Sequence, residues 1–172
     1  EGYENWNDII AKTAPFTENY IPNGKDISTI IYTSGTTGQP KGVVQTVHSF
    51  SYAVCWAFTE LDDLTDKERF FSYLPLSHIA ERMLVAMGGL YAGGTISFAE
   101  SLELFAANLK DTKPTVFLAV PRIWTKFQMG ILGKMPQSRL NILLKIPIIN
   151  GIIKKKIKEG LGLDQAKYLL TG

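Results

Sequence analysis

The sequence predicts an α/β fold: a β-hairpin followed by alternating helices and mostly parallel strands. Three observations carry this. Short runs of β-branched and aromatic residues alternate with stretches whose apolar residues recur at i, i+3, i+4 and i+7, the pattern of strands joined by crossover helices. A polar glycine-rich loop separates two β-branched runs near the start, so it links strand to strand. The composition, 45% apolar and 20% charged over 172 residues, is that of a globular chain long enough to bury a core.

Taken in order, residues 1–27 are polar and broken by Pro15, Pro22 and Gly24. They read as a connector in which Trp6, Ile9 and Ile10 support a short helix. Residues 28–172 read as one partial domain. Ile27–Ile31 and Val43–Val47 are the hairpin strands. His48–Leu61 carries Phe50, Val54, Ala57, Phe58 and Leu61 at helical spacing, and Asp62–Lys67 is a turn. Arg69–Leu74 is a buried strand ending at Pro75. Ala80, Met83, Leu84 and Met87 mark a helix that stops near Gly93-Gly94. Thr95–Phe98 is a strand, and Leu102, Phe105, Ala106 and Leu109 mark another helix. Thr115–Val120 is a strand closed by Pro121, followed by a helix over Arg122–Leu132. Helical patches near 138–146 and 148–159, separated by Pro147 and Gly151, precede a last strand at Ala166–Leu170. There are no internal repeats and no low-complexity tract.

The loop itself is Tyr32-Thr33-Ser34-Gly35-Thr36-Thr37-Gly38-Gln39-Pro40-Lys41-Gly42. Glycines permit positive φ and leave backbone N–H groups uncovered, and successive bare N–H groups form an anion nest. The hydroxyls add uncharged donors and Lys41 adds a cation, so the loop suits a polyphosphate. It is not the Walker loop of nucleotide hydrolases. That motif needs Gly-Lys-Ser/Thr opening a helix, whereas Pro40 precedes Lys41, Gly42 follows it, and a strand comes next.

The stretch resembles the phosphate-loop signature of the adenylate-forming superfamily, which includes acyl-CoA synthetases, luciferases and peptide-synthetase adenylation domains. Two further motifs extend the resemblance over about residues 28–172. Tyr73-Leu74-Pro75-Leu76-Ser77-His78-Ile79-Ala80-Glu81-Arg82 resembles the proline-leucine-histidine motif with the alanine-glutamate-arginine continuation of long-chain fatty acyl members. Ala119-Val120-Pro121-Arg122-Ile123-Trp124 resembles their valine-proline-arginine-aliphatic-aromatic motif. Both follow strand ends, where open α/β sheets place ligands.

The resemblance implies an excerpt of the large N-terminal domain of a long-chain fatty acid–CoA ligase. The reaction would use ATP, Mg²⁺ and coenzyme A. A fatty acid carboxylate attacks the α-phosphorus of Mg·ATP to give acyl adenylate, and the thiolate then displaces AMP. The resemblance assigns Thr33, Ser34, Gly35, Thr36, Thr37, Gly38 and Lys41 to the nucleotide, with Thr36 or Thr37 meeting the metal. Lys41, Thr36 and His78 are the catalytic candidates, and His78, Glu81, Arg122 and Trp124 border the substrate. A helix-start histidine, a local Glu81–Arg82 ion pair and a plain core tryptophan are the bland alternatives. Two rivals remain: a ligase for another carboxylic acid, aryl or medium-chain, and a non-catalytic nucleotide- or lipid-binding module.

The net charge of +2 implies no nucleic-acid partner, but residues 126–167 carry +7 and the remainder −5. Ile146, Ile148, Ile149, Ile152, Ile153 and Ile157 alternate with Lys145, Lys154, Lys155, Lys156 and Lys158. This pattern fits either peripheral membrane contact through 139–160 or a helix docked on its own domain with solvated lysines. Long-chain acyl members are extended here, which favours a fatty acid substrate. Lone Cys55 is expected as a buried structural thiol, and a cytoplasmic location follows as an expectation. Starting at Glu1 and stopping at Leu169-Leu170-Thr171-Gly172, the chain reads as part of a longer protein. The last strand would then leave an unpaired edge prone to self-association, so a homo-oligomer stays open.

Overall fold

The computed structural model describes residues 4–34, 38–61 and 64–172. After a short helix α1 (Trp6–Lys12), which buries no residue, come β1 (Ile27–Thr33) and β2 (Lys41–Thr46). They pair antiparallel from Ile27↔Thr46 to Thr33↔Lys41. Helix α2 (Val47–Glu60) starts at once from β2. Thr46 caps it: its side chain accepts from the Ser49 amide while the Ser49 side chain accepts from the Thr46 amide, a reciprocal cap that satisfies two donors.

The main sheet has four strands, β3 (Arg69–Ser72), β4 (Thr95–Phe98), β5 (Val116–Ala119) and β6 (Tyr168–Thr171), in the order β4-β3-β5-β6. Every pairing is parallel, so each connection is a crossover and helices cover both faces. On one face Phe58 and Val54 of α2 pack with Phe70, Val85 and Val116. On the other, Phe71, Phe117 and Ala119 meet Phe105 and Leu109 of α4 (Phe105–Thr112), with Leu163 beyond. Residues 70 and 71 of one strand thus feed opposite cores, as the two-residue repeat of a strand requires.

Helices α5 (Pro121–Lys134), α6 (Gln137–Lys145) and α7 (Pro147–Leu161) follow β5. Gly151 sits inside α7 and does not break it, contrary to the expected interruption; Pro147 is its first residue, where a missing N–H costs nothing. Within the basic segment Ile153 and Ile157 turn inward, while Ile148 and Ile152 are 80% and 51% exposed. No helix among the described residues is long and apolar enough to cross a membrane.

Two expectations are corrected. The helix after His78 is π-helical over Glu81–Met87, continuing as α3 (Gly88–Ala92). The wider turn moves the buried stripe to Glu81, Val85, Gly88 and Gly89 and leaves Met87 exposed. The glycines are steric requirements: a Cβ on Gly88 would lie 2.2 Å from the Phe58 ring, and one on Gly89 2.6 Å from Ile96. Cys55 is exposed, not buried. The inward stripe of α2 is Phe50, Val54 and Phe58, and the next residue along lies about 100° round the helix.

Candidate active site

The hairpin ends in two exposed residues facing each other, Thr33 on β1 and Lys41 on β2. Ser34 and Gly38 beside them are also exposed. Gly38 has φ +80° with nothing near its would-be Cβ, so it is glycine for conformation. Gly42 is glycine for space, since a Cβ there would reach Ile30 at 3.0 Å and the Tyr32 ring at 3.3 Å across the strands. Lys41 forms no ion pair among the described residues. An unneutralised ammonium beside exposed hydroxyls fits a polyphosphate. Gly35, Thr36 and Thr37, and with them the expected metal contact, lie outside the described residues. No cluster of three His, Cys, Asp or Glu suited to a metal occurs among the described residues.

The second half of the site is the carboxyl edge of the sheet, where the segments after β3 and β5 meet. The Val120 N–H donates to the Tyr73 hydroxyl at 3.2 Å, and the Tyr73 ring stands edge-on to Phe105, 5.0 Å between centroids. Burial pushes the Tyr73 phenol up and the Glu81 charge adds to it, against the opposing Val120 hydrogen bond. His78 is exposed; its N–H donates to the Pro75 carbonyl at 2.8 Å, and its own carbonyl accepts from the Arg82 amide. Arg122 is exposed in the first turn of α5. Trp124 is partly buried: its indole N–H donates to the Ala119 carbonyl at 3.1 Å, and its ring meets Phe117 and Phe127 edge-on.

Glu81 and Arg82 do not pair with each other. Neighbouring residues on a helix project in different directions, and each has separate partners. Glu81 is 1% exposed, and its Oε2 accepts from the Leu74 amide at 3.3 Å while Oε1 has no hydrogen-bond partner. Burial pushes its carboxyl up, with the nearby Ser72 hydroxyl, the Leu74 and Tyr73 amides and His78 pulling against that. Arg82 reaches the other way. Its guanidinium donates to the Leu76 carbonyl at 2.9 Å and to the Thr29 hydroxyl on β1. One side chain therefore joins the His78 loop to the phosphate hairpin. Arg82 and Tyr73 were visible only as members of motifs; their bridging roles needed the fold.

A hydroxyl-rich cationic hairpin tied to a histidine loop at a parallel sheet's carboxyl edge is the setting, and residues 3–151 match the family model described as AMP-binding enzyme. The chain belongs to the AMP-binding enzyme family. Among its relatives is a long-chain-fatty-acid–CoA ligase of Xenopus laevis, 34% identical over 84% of this chain and 24% of that protein. The chain thus spans about a quarter of the length of the curated relatives it matches. Among solved structures, the adenylation domain of a carboxylate reductase from Mycobacterium chelonae superimposes with TM-score 0.68 at 25% identity, over 96% of this chain and 26% of that one. The o-succinylbenzoate coenzyme A synthetase of Bacillus subtilis, solved with ATP and magnesium ion, gives 0.57 at 25% identity over 69% and 26%. Family membership and the N-terminal adenylation fold are therefore shared features, which bears out the resemblance read from the three motifs.

Proposed function

We propose that this chain is the phosphate-loop part of an enzyme that activates a long-chain fatty acid with ATP and passes the acyl group to coenzyme A. The observation that carries the reading is the hairpin end, with Lys41, in no ion pair among the described residues, opposite Thr33. The fatty acid assignment draws on the ligase of Xenopus laevis, and the use of Mg·ATP on the synthetase of Bacillus subtilis.

In this reading Lys41 neutralises charge that grows on the leaving pyrophosphate, and the Thr33 and Ser34 hydroxyls donate to the same oxygens. Thr36 or Thr37 would meet the magnesium of Mg·ATP, which would supply positive charge to offset that of the phosphates. His78 borders the carboxylate and the forming adenylate. Arg122 and Trp124 stand beside the acyl group, and Glu81 acts through the loop it braces. Residues 28–172 act as part of one domain, and the 172-residue chain alone is expected not to release AMP, because placing nucleophile, phosphate and metal takes groups this span does not supply.

The test uses a protein of the relatives' full length that carries this chain. Lys41→Ala should slow fatty-acid-dependent pyrophosphate exchange at saturating ATP by about a hundredfold, the cost of one charged stabiliser of roughly 3 kcal/mol. A rate within about twofold of the parent removes Lys41 from this role. A panel of carboxylic acids run alongside decides the substrate: faster exchange with aryl or medium-chain acids overturns the long-chain assignment.

A further inference from the structure

The hairpin is a two-stranded sheet of its own, separate from the sheet β4-β3-β5-β6. Much of what anchors it is local in sequence. Ser49 at the start of α2 donates to the Gln45 side chain at 3.1 Å and to the Thr46 hydroxyl at 3.2 Å. Ile31 is buried, whereas Ile30, Tyr32, Val43 and Val44 stay exposed. The Arg82–Thr29 hydrogen bond is of another kind, since its partners lie 53 residues apart and it crosses from the hairpin to the segment after β3.

A local irregularity sits at each end of that link. The β1–β2 register shifts between Ile27 and Thr29, and a bulge bends its strand and re-aims a side chain. Arg82 lies in the first turn of the π-helical segment Glu81–Met87, a wider turn of the kind found at functional sites. Arg82 also grips the histidine loop. Its amide donates to the His78 carbonyl at 3.1 Å and its Nε to the Leu76 carbonyl at 2.9 Å. These acceptors are uncharged, and Arg82 is in no ion pair among the described residues. A guanidinium presents its donors in a rigid planar fork, so the Thr29 hydroxyl and the Leu76 carbonyl, held on one fork, keep a fixed separation.

We infer that Arg82 is a positioning residue for adenylation, one that sets the distance between the phosphate hairpin and the His78 loop. The inference rests on the function proposed above, and Arg82 acts through Thr29 and the Leu76–His78 backbone. A carboxylate attacks phosphorus in near-attack geometry, and a misplacement of about 1 Å costs roughly a hundredfold in rate. The hairpin end holds the nucleotide and the His78 loop borders the carboxylate. Slack between the two therefore lowers the rate at saturation without loosening the grip of the hairpin on ATP.

Fatty-acid-dependent pyrophosphate exchange by a protein of the relatives' full length that carries this chain tests it, beside equilibrium binding of Mg·ATP without acid. Thr29→Val removes the acceptor at nearly the same size. It should slow exchange at saturating substrates by about tenfold or more, with Mg·ATP affinity within about twofold of the parent. Thr29→Ser restores a hydroxyl and should hold the rate to within about twofold of the parent. Arg82→Met should be at least as slow as Thr29→Val, and adding Thr29→Val to it should slow it no further, because both remove one contact. If Arg82→Met fails to fold, the two Thr29 variants decide alone. A parental rate in Thr29→Val, effects that multiply in the double variant, or ATP affinity that falls in step with the rate overturns the inference and leaves the adenylation reading standing. A parent that exchanges with no carboxylic acid overturns both.

Discussion

The two ends of β3 each hold a buried glutamate, and the two are held in opposite ways. Glu68, just before the strand, and Glu81, beyond its carboxyl end, are both 1% exposed. Glu68 accepts from the Lys167 ammonium at 2.5 Å. Burial raises its carboxyl, but the Lys167 and Thr115 hydrogen bonds and the Lys167 charge outweigh that and hold it below the ordinary value. At Glu81 burial prevails over the Ser72, Leu74 and Tyr73 hydrogen bonds and the His78 charge, and its carboxyl rises. Burial alone therefore fixes neither group's protonation. The amino end is a clamp: Lys167 ties β6 to the start of β3, and the Arg69 guanidinium donates to the Thr112 and Lys113 carbonyls ahead of β5. The carboxyl end carries a buried acid that is in no ion pair among the described residues, on the sheet edge that also holds exposed His78 and Arg122, which is where ligand chemistry belongs.

The comparison breaks most visibly if the clamp loses its cation. Lys167→Met leaves Glu68 buried and unpaired, and should destabilise the fold by about 2 kcal/mol, the usual loss discounted for a half-exposed lysine. Denaturant unfolding at neutral pH measures it. Because the folded Glu68 value is depressed, the pair's contribution is present above the unfolded carboxyl value and is lost as pH falls through the folded one. The variant and the parent should therefore converge in acid; a constant gap would mean lost packing instead of lost charge pairing.

A smaller loss is expected from Tyr73→Phe, which strips the Val120 N–H of its acceptor and should cost about 1 kcal/mol. No change in unfolding midpoint would mean that the contact between the two loops is incidental. Glu81→Gln sharpens the contrast of signs. With a raised folded value, the fold binds the Glu81 proton more tightly than the unfolded chain, so stability falls as pH rises from the unfolded carboxyl value through the folded one. Gln keeps an acceptor for the Leu74 amide and should flatten that decline. A decline of the same slope in the variant assigns it to another group. The smallest effect on the fold belongs to His78→Ala. Stability should stay within about 0.5 kcal/mol, while adenylation in the full-length setting drops by about tenfold or more. A stability loss comparable to that of Lys167→Met would make His78 a structural residue.

What the sequence made legible follows from how local each signal is. The strands at Phe70-Phe71 and Val116–Ala119 could be read because both of their faces are covered, so the apolar run is continuous. The hairpin was legible because its glycines and β-branched flanks act within a few residues. The π-helix was not, since Met83, Leu84 and Met87 fit an ordinary helix equally well. Its wider turn brings Gly88 and Gly89 onto Phe58 and Ile96, contacts made across the chain. Cys55 was misplaced because α2 is apolar on more than its inward stripe: Tyr52 and Trp56 are 65% and 58% exposed. The partners of Glu81, Arg82 and Lys167 lie on other elements, and Lys167 reaches Glu68 from the far end of the sequence; no local pattern records such pairs.

The strand order also sets a timetable for folding. Arg69 pairs with Thr95, Phe70 with Val116, and Val116 with Tyr168. The first pairing closes the shortest loop and the last the longest, so loop-closure entropy rises in the order in which the strands leave the ribosome. A nucleus of β3 and β4 can form before β5 exists, and β5 then presents the template for β6. β6 pairs along β5, and the Lys167–Glu68 ion pair ties the start of this later strand to the start of the earlier β3, as a latch across the amino edge.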